Sequence, residues 1–230
     1  MAPAISAVFF DVDFTLIFPG PIFQGAGYQT FCAAHGFAVD PSRFDHAVAS
    51  SSAILDEVDE PVYDHQLFID YTASIIEHMG GRGPQVQVAA REIYQQWATN
   101  HHFEMYDDVD PVLRALQARG LTVSVISNSH RSLDAFREHF ALGGLIHSGI
   151  SSFEHGYLKP HPSIFEAALE RAGVPASASI MVGDSLRADV EGALAAGMRA
   201  VLLRRSGEVP AHLPVGVPVI RRLSELEALL

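Results

Sequence analysis

Ala7-Val8-Phe9-Phe10 is an apolar run that stops at an acid, Asp11; a second acid, Asp13, and then Thr15 follow at two-residue intervals. A run this short, ending in charge, reads as a buried parallel strand whose C-terminal end opens into a cleft. In open α/β sheets that edge is where ligands bind. The chain is expected to turn after Phe10, with Asp11 and Asp13 both at the cleft mouth. Two carboxylates this close repel each other and stay ionised together only beside a cation, and oxygen donors of this kind suit Mg²⁺. Alone, such a pair more often marks a solvated strand end, so its meaning rests on the rest of the chain.

Between about Pro21 and His102 helical periodicity dominates and no strand is expected. The expected helices are Ile22 to Ala34, one opened by Asp40-Pro41, Tyr63 to Met79, and Gln85 to Ala98. From Tyr106 the pattern becomes strict alternation. Helices are expected over Val112 to Arg119, Arg131 to Phe140, His161-Pro162 to Gly173, and Leu186 to Ala196. Strands are expected over Leu121 to Ile126, Leu145 to Ile150, Ser179 to Val182 and Arg199 to Leu203, followed by a short strand and a last helix within Val217 to Leu230. Alternation of this kind predicts a doubly wound parallel α/β sheet with all strand C-termini on one edge. The core is expected over residues 1–17 and 104–230, with a helical insert over 18–103.

Three of these strands end in polar residues: at Asp11, at Ser127-Asn128, and at Gly183-Asp184, with Asp189 five places later. Lys159 stands in the loop entering the helix at Pro162. The topology brings all of them to one sheet edge, where a cluster of acids, hydroxyl and lysine is hard to explain by solvation.

In this order the motifs resemble those of the haloacid dehalogenase (HAD) superfamily, mostly phosphatases. Asp11-Val12-Asp13-Phe14-Thr15 is similar to its D-x-D-x-T strand end, Ser127 to its second motif, Lys159 to its third, and Gly183-Asp184 with Asp189 to its fourth. The resemblance covers the whole chain. It implies a Rossmann-like core, a C1-type helical cap formed by the insert, and Mg²⁺-dependent hydrolysis of small phosphate monoesters through an aspartyl-phosphate. Asp11 is then the nucleophile and Asp13 the acid and base for the leaving oxygen and the attacking water. Asp11, Asp184 and the carbonyl of Asp13 hold the metal, and Asp189 orients a metal-bound water or Lys159. Lys159, Ser127, Asn128 and Thr15 bind the phosphoryl group, with Thr15 equally readable as a turn cap. Phe14 stands where the family usually has glycine, a change expected to affect the turn and not the reaction class.

A net charge of −12 argues against nucleic acid or an anionic membrane as the main partner. Cys32 is the only cysteine, so no disulfide within the chain is expected. No apolar run approaches the roughly 18 residues of a membrane helix. The first strand begins too close to Met1 for a signal peptide. Cytoplasmic location, as a monomer or homodimer acting on a small organophosphate, is the expectation. Other readings remain open: a 2-haloacid dehalogenase, disfavoured by Asp13 and the Asp184/Asp189 pair, and a non-catalytic binding module of the same fold. A phosphonatase would want a cap lysine, and Phe18 to Phe103 contains none. Any positive cap contact must come from Arg43, Arg82, Arg91 or histidine. A phosphorylated receiver domain would have its acids in a different order and no helical insert. His101, His102 and His161 lack metal-ligand spacing, and Tyr94, Trp97 and Phe103 read as cap packing.

Overall fold

The computed structural model describes residues 4–56 and 61–230; residues 1–3 and 57–60, which the expected domain ranges include, lie outside the described residues. The chain divides into two compact units, residues 1–18 with 105–230, and residues 19–104.

The first unit is built around β1 (Ala7–Phe10), all four residues of which are buried. The chain leaves through β2 (Ile17–Pro19) and returns through β3 (Phe103–Met105), which pair with each other. The helical unit between them carries α1 (Gly25–Ala34), α2 (Phe44–Ser51), α3 (Ala53–Asp56), α4 (His65–His78) and α5 (Gln85–Trp97). Asp40 accepts a hydrogen bond from the Ser42 amide, the expected opening of its helical segment. Trp97 packs on Phe23 and Phe103 at ring distances of 4.6 and 5.0 Å, and Tyr94 shares a hydroxyl hydrogen bond with Tyr63. Arg82 is spent on the carbonyls of Glu77 and Gly81 at the end of α4.

The chain then alternates: α6 (Val109–Ala118), β4 (Thr122–Ser127), α7 (Leu133–His139), β5 (Ser148–Ser151), α8 (Ser152–His155), α9 (Pro162–Ala172), β6 (Ser179–Gly183), a π-helical turn over Leu186–Glu191, α10 (Gly192–Ala195), β7 (Arg199–Leu203) and β8 (Val219–Ile220). A 3₁₀ helix over Leu223–Leu229 closes the chain. The strand order is β5-β4-β1-β6-β7-β8, and every pairing in this sheet is parallel. After β1 the chain builds outward to β4 and β5, then crosses back to β6 on the other side of β1. The order therefore reverses at β1, which puts a crevice at its C-terminal end. Ala7 and Phe9 join Ile126, Met181, Leu202, Phe165 and Leu169 in one apolar cluster, while Val8 and Phe10 are also fully buried. A central strand buried on both faces has room for polar groups only at its ends.

Several boundaries differ from the sequence reading, and two of them bear on the site. The strand expected at Leu145–Ile150 is Ser148–Ser151, because Leu145 and Ile146 are drawn into the core ahead of an edge strand that carries serines. The helix expected from Arg131 starts at Leu133, where Ser132 caps it by accepting from the Ala135 amide, so Arg131 lies in the loop before it.

Candidate active site

Asp11 follows directly on β1, and its amide donates to the Val182 carbonyl of β6, which extends the ladder one residue and fixes the carboxylate at the crevice. Asp184 holds the same place after β6. Asp189 reaches back from the π-helical turn, a distortion often found at functional sites. One carboxylate oxygen from each of Asp11, Asp184 and Asp189 lies within 4.8 Å of the others.

Lys159 answers this charge. Its Nζ donates to Asp11 Oδ1 at 2.7 Å, to Asp189 Oδ1 at 2.7 Å and to the Ile126 carbonyl at 2.8 Å. An ammonium has three donors, so all are used. Burial opposes the charge on Lys159, but the two carboxylates outweigh it and hold the ammonium above its ordinary pKa. Asp11 is pushed up to about 7, by burial first and by Asp189 and Asp13 beyond it, against the pull of Lys159. Asp184 is raised well above the usual carboxylate range by burial, then by Asp11 and Asp189. One lysine does not neutralise the buried Asp11 and Asp189 together with the half-buried Asp184. The oxygen-only donors Asp11 and Asp184 therefore fit a hard divalent cation.

Asp189 is already committed. Its Oδ2 accepts from the Ser185 amide at 3.0 Å while Oδ1 holds Lys159, which makes it an orienting group for the lysine. Ser185 caps the turn by accepting from the Ala188 amide. Gly183 has no side chain for a steric reason: a Cβ there would overlap the Asp189 carboxyl group and stand 2.7 Å from the Asp189 Cβ. Gly183→Ala is expected to displace Asp189 and cost about 1–3 kcal/mol through overpacking, as read by urea denaturation.

The remaining expected site residues divide. Ser127 ends β4, and its hydroxyl donates to Ser129 Oγ at 3.0 Å. Asn128 was expected to face the phosphoryl group, but its carboxamide is occupied. Oδ1 accepts from the Lys159 amide at 2.7 Å and Nδ2 donates to the Lys159 carbonyl at 3.0 Å. It clamps the backbone that carries the lysine. Thr15 is wholly buried, its Oγ1 has no hydrogen-bond partner among the described residues, and its carbonyl accepts from Arg205 at 2.8 Å. Asp13 points its Oδ1 not at the acid cluster but at Arg131 Nη1, 2.8 Å away. Phe14 adopts φ +63°, the left-handed conformation natural to glycine, at a cost of about 1–2 kcal/mol. The turn keeps a glycine-like backbone in spite of the side chain.

Sequence reasoning missed three residues. Arg131 is wholly buried beside Asp13. Arg205 ties the turn after β1 to Asp108 through bonds of 2.9 and 3.2 Å and lies 3.6 Å from the centre of the Tyr106 ring. Asp108 also accepts from the Leu223 amide. No local pattern marks these partners; the only signal was that arginines in a chain this acidic have carboxylates to find.

A buried acid cluster bridged by lysine, at the reversal point of a parallel sheet, is the equipment of a hydrolase that handles anionic groups. The haloacid dehalogenase-like hydrolase family model matches residues 5–197, and the chain belongs to that family. Haloacid dehalogenase-like hydrolase domain-containing protein 3 of Bos taurus is 26% identical over 213 residues, covering 90% of this chain and 85% of that protein. The ribulose-1,5-bisphosphate 5-phosphatase of Halopiger xanaduensis is 26% identical over 212 residues, covering 90% and 87%. The crystal structure of a 2-haloacid dehalogenase from Pseudomonas syringae shares 28% identity over 97% of both chains, with a TM-score of 0.65. Among the described residues, no helix is long and apolar enough to cross a membrane.

Proposed function

We propose that the protein is a Mg²⁺-dependent phosphatase that hydrolyses small phosphate monoesters through an aspartyl-phosphate on Asp11. The observation that carries this reading is the clustering of Asp11, Asp184 and Asp189 within 4.8 Å, with Lys159 bonded to two of them. Relatives named as phosphatases support the same reaction class.

Asp11, Asp184 and the main-chain carbonyl of Asp13 would hold the ion. When bound, Mg²⁺ neutralises charge between an anionic nucleophile and an anionic phosphoryl group. Asp11 attacks phosphorus as the bond to the leaving oxygen breaks. Asp13 gives its proton to that oxygen, then takes one from the water that hydrolyses the Asp11–phosphoryl bond. Lys159, held by Asp189 and by the Asn128 clamp, presents fixed positive charge to the phosphoryl oxygens. The Ser127 hydroxyl, which donates to Ser129 Oγ in the structure, would have to turn to the same oxygens on binding to act as a donor to them. The helical insert between the first two motifs is read as the family's C1-type cap, with boundaries at 17/18 and 103/104. A closing lid favours small substrates such as sugar phosphates, phosphoglycolate-like acids or nucleotides.

The 2-haloacid dehalogenase reading has the Pseudomonas structure in its favour, and Asp13, Asp184 and Asp189 against it. Hydrolysis of p-nitrophenyl phosphate with Mg²⁺ and with EDTA, beside chloride release from 2-chloropropionate, separates the two. Turnover of the ester that disappears in EDTA is expected. Metal-independent chloride release without ester hydrolysis would overturn the proposal.

Metal binding should also depend on pH. The raised pKa of Asp11, about 7 without metal, contributes stability at low pH that is lost as pH rises through that value. Metal binding needs the ionised acids and moves the opposite way. The rise in Tm on adding Mg²⁺ is therefore expected to be larger at about pH 8 than at about pH 5.5. Equal shifts at the two values would contradict Asp11 as a metal ligand.

A further inference from the structure

We infer that Arg131 is a positioning residue for the proton-transfer group Asp13, an inference that rests on the phosphatase reading above. Arg131 is among the largest fully buried side chains of the protein, with 1% of its surface exposed. Its Nη1 donates to Asp13 Oδ1 at 2.8 Å across 118 residues of sequence, while the Asp13 side chain keeps 15% of its surface exposed. A wholly buried guanidinium meeting a partly exposed acid is the arrangement of a fixed support under a working group.

The loop that carries Arg131 is pinned on both sides. Asn128 is bonded twice to the backbone of Lys159, and the Ser129 carbonyl accepts from the Phe153 amide at 3.3 Å. Ser132 then starts α7 as its cap. One five-residue stretch after β4 thus holds both Lys159 and Asp13, so the cation and the acid share a single rigid base.

The chemistry of the pair decides which oxygen can carry a proton. A guanidinium only donates and stays protonated, so Arg131 is not itself the acid. Asp13 Oδ1 accepts from it, which leaves Oδ2 to hold the transferable proton. In the first step that proton passes from Asp13 Oδ2 to the ester oxygen as its bond to phosphorus breaks and the Asp11–phosphorus bond forms. In the second, Oδ2 takes a proton from the attacking water as the Asp11–phosphorus bond breaks. Arg131 keeps its charge throughout and returns the carboxylate to the same rotamer for each step.

The test uses two esters that differ in their need for an acid. p-Nitrophenolate leaves without a proton, whereas an alkoxide such as that from glycerol 1-phosphate needs one. Arg131→Met is expected to lower kcat on glycerol 1-phosphate by about 10²-fold, the scale of general-acid catalysis, and to lower kcat on p-nitrophenyl phosphate only a few-fold. Arg131→Lys should recover part of the selective loss, and the Mg²⁺-induced thermal shift should be unchanged in both variants, because Asp11 and Asp184 are untouched. Equal losses on the two esters would overturn the inference and leave Arg131 a packing residue. If neither Arg131→Met, Arg131→Gln nor Arg131→Lys folds by circular dichroism, the role is structural and the inference also fails. A wild-type protein that hydrolyses neither ester would remove the phosphatase reading itself, which is a different result from equal losses in an active enzyme.

Discussion

Lys159→Met is expected to cost about 3–5 kcal/mol of folding stability at about pH 8 without divalent metal, the scale of a broken buried ion pair. Lys159 is 4% exposed and its ammonium satisfies Asp11, Asp189 and the Ile126 carbonyl together. Methionine fills much of the same volume but leaves the buried Asp11 and Asp189, beside the half-buried Asp184, with no cation and takes from the Ile126 carbonyl its bond to Nζ. Against a total stability of about 5–15 kcal/mol, that is a large fraction. The sign of the pH response follows from the acids. With the lysine gone, Asp11 and Asp184 hold protons to higher pH than in the wild type, so lowering the pH to about 5.5 should return part of the lost stability. Saturating Mg²⁺ at about pH 8 should return part of it by another route. Urea denaturation under these three conditions reads the effect. A variant as stable as wild type at about pH 8 without metal would show that the lysine is not what keeps the cluster folded. Turnover is expected to fall by about 10²–10³-fold even when the fold is restored by metal, the scale of losing one preorganised positive contact to the phosphoryl oxygens.

Asp11→Asn separates catalysis from stability more cleanly. The change is close to isosteric, and the amide oxygen still accepts from Lys159. It also removes one of three crowded negative charges, so Tm without metal should be equal to or higher than wild type. Turnover of p-nitrophenyl phosphate should nevertheless fall by roughly 10⁴-fold or more, as when a nucleophile is lost from a set of residues acting as a unit. The thermal shift with Mg²⁺ should shrink in parallel, since a donor is gone. Retention of more than about one part in a hundred of wild-type turnover would rule Asp11 out as the nucleophile. Lower Tm with proportionate loss of activity would point to a folding defect instead.

Much of the sheet was legible in the chain. β1 ends where expected because four apolar residues meet an acid, and β7 runs over the expected Arg199–Leu203. The closing glycines Gly120, Gly173 and Gly197 all sit at positive φ, which is what made them readable as helix stops. The short strands β2 and β3 and the four-residue α8 left too little periodicity to be seen. The start of α7 was misplaced because Arg131 is compatible with a helix by propensity, whereas the helix is opened by the Ser132 cap one residue later.

At the site, residue type and order were enough to bring forward Asp11, Lys159 and Asp184, because each stands at the end of a strand or in the loop entering a helix, and parallel topology sends those positions to one edge; Asp189, inside the turn over Leu186–Glu191, came forward through the resemblance to the family's fourth motif. Local pattern is what the sequence by itself determined: apolar runs, their polar ends, and the turns between them. Which group each side chain holds was decided only in the tertiary structure. Asn128 grips Lys159 across 31 residues and Arg131 meets Asp13 across 118. Arg205 reaches the Thr15 carbonyl across 190. Hydrogen bonds and ion pairs act over a few ångströms in space, whatever the distance along the chain, so they become visible only once the sheet has brought its strand ends together.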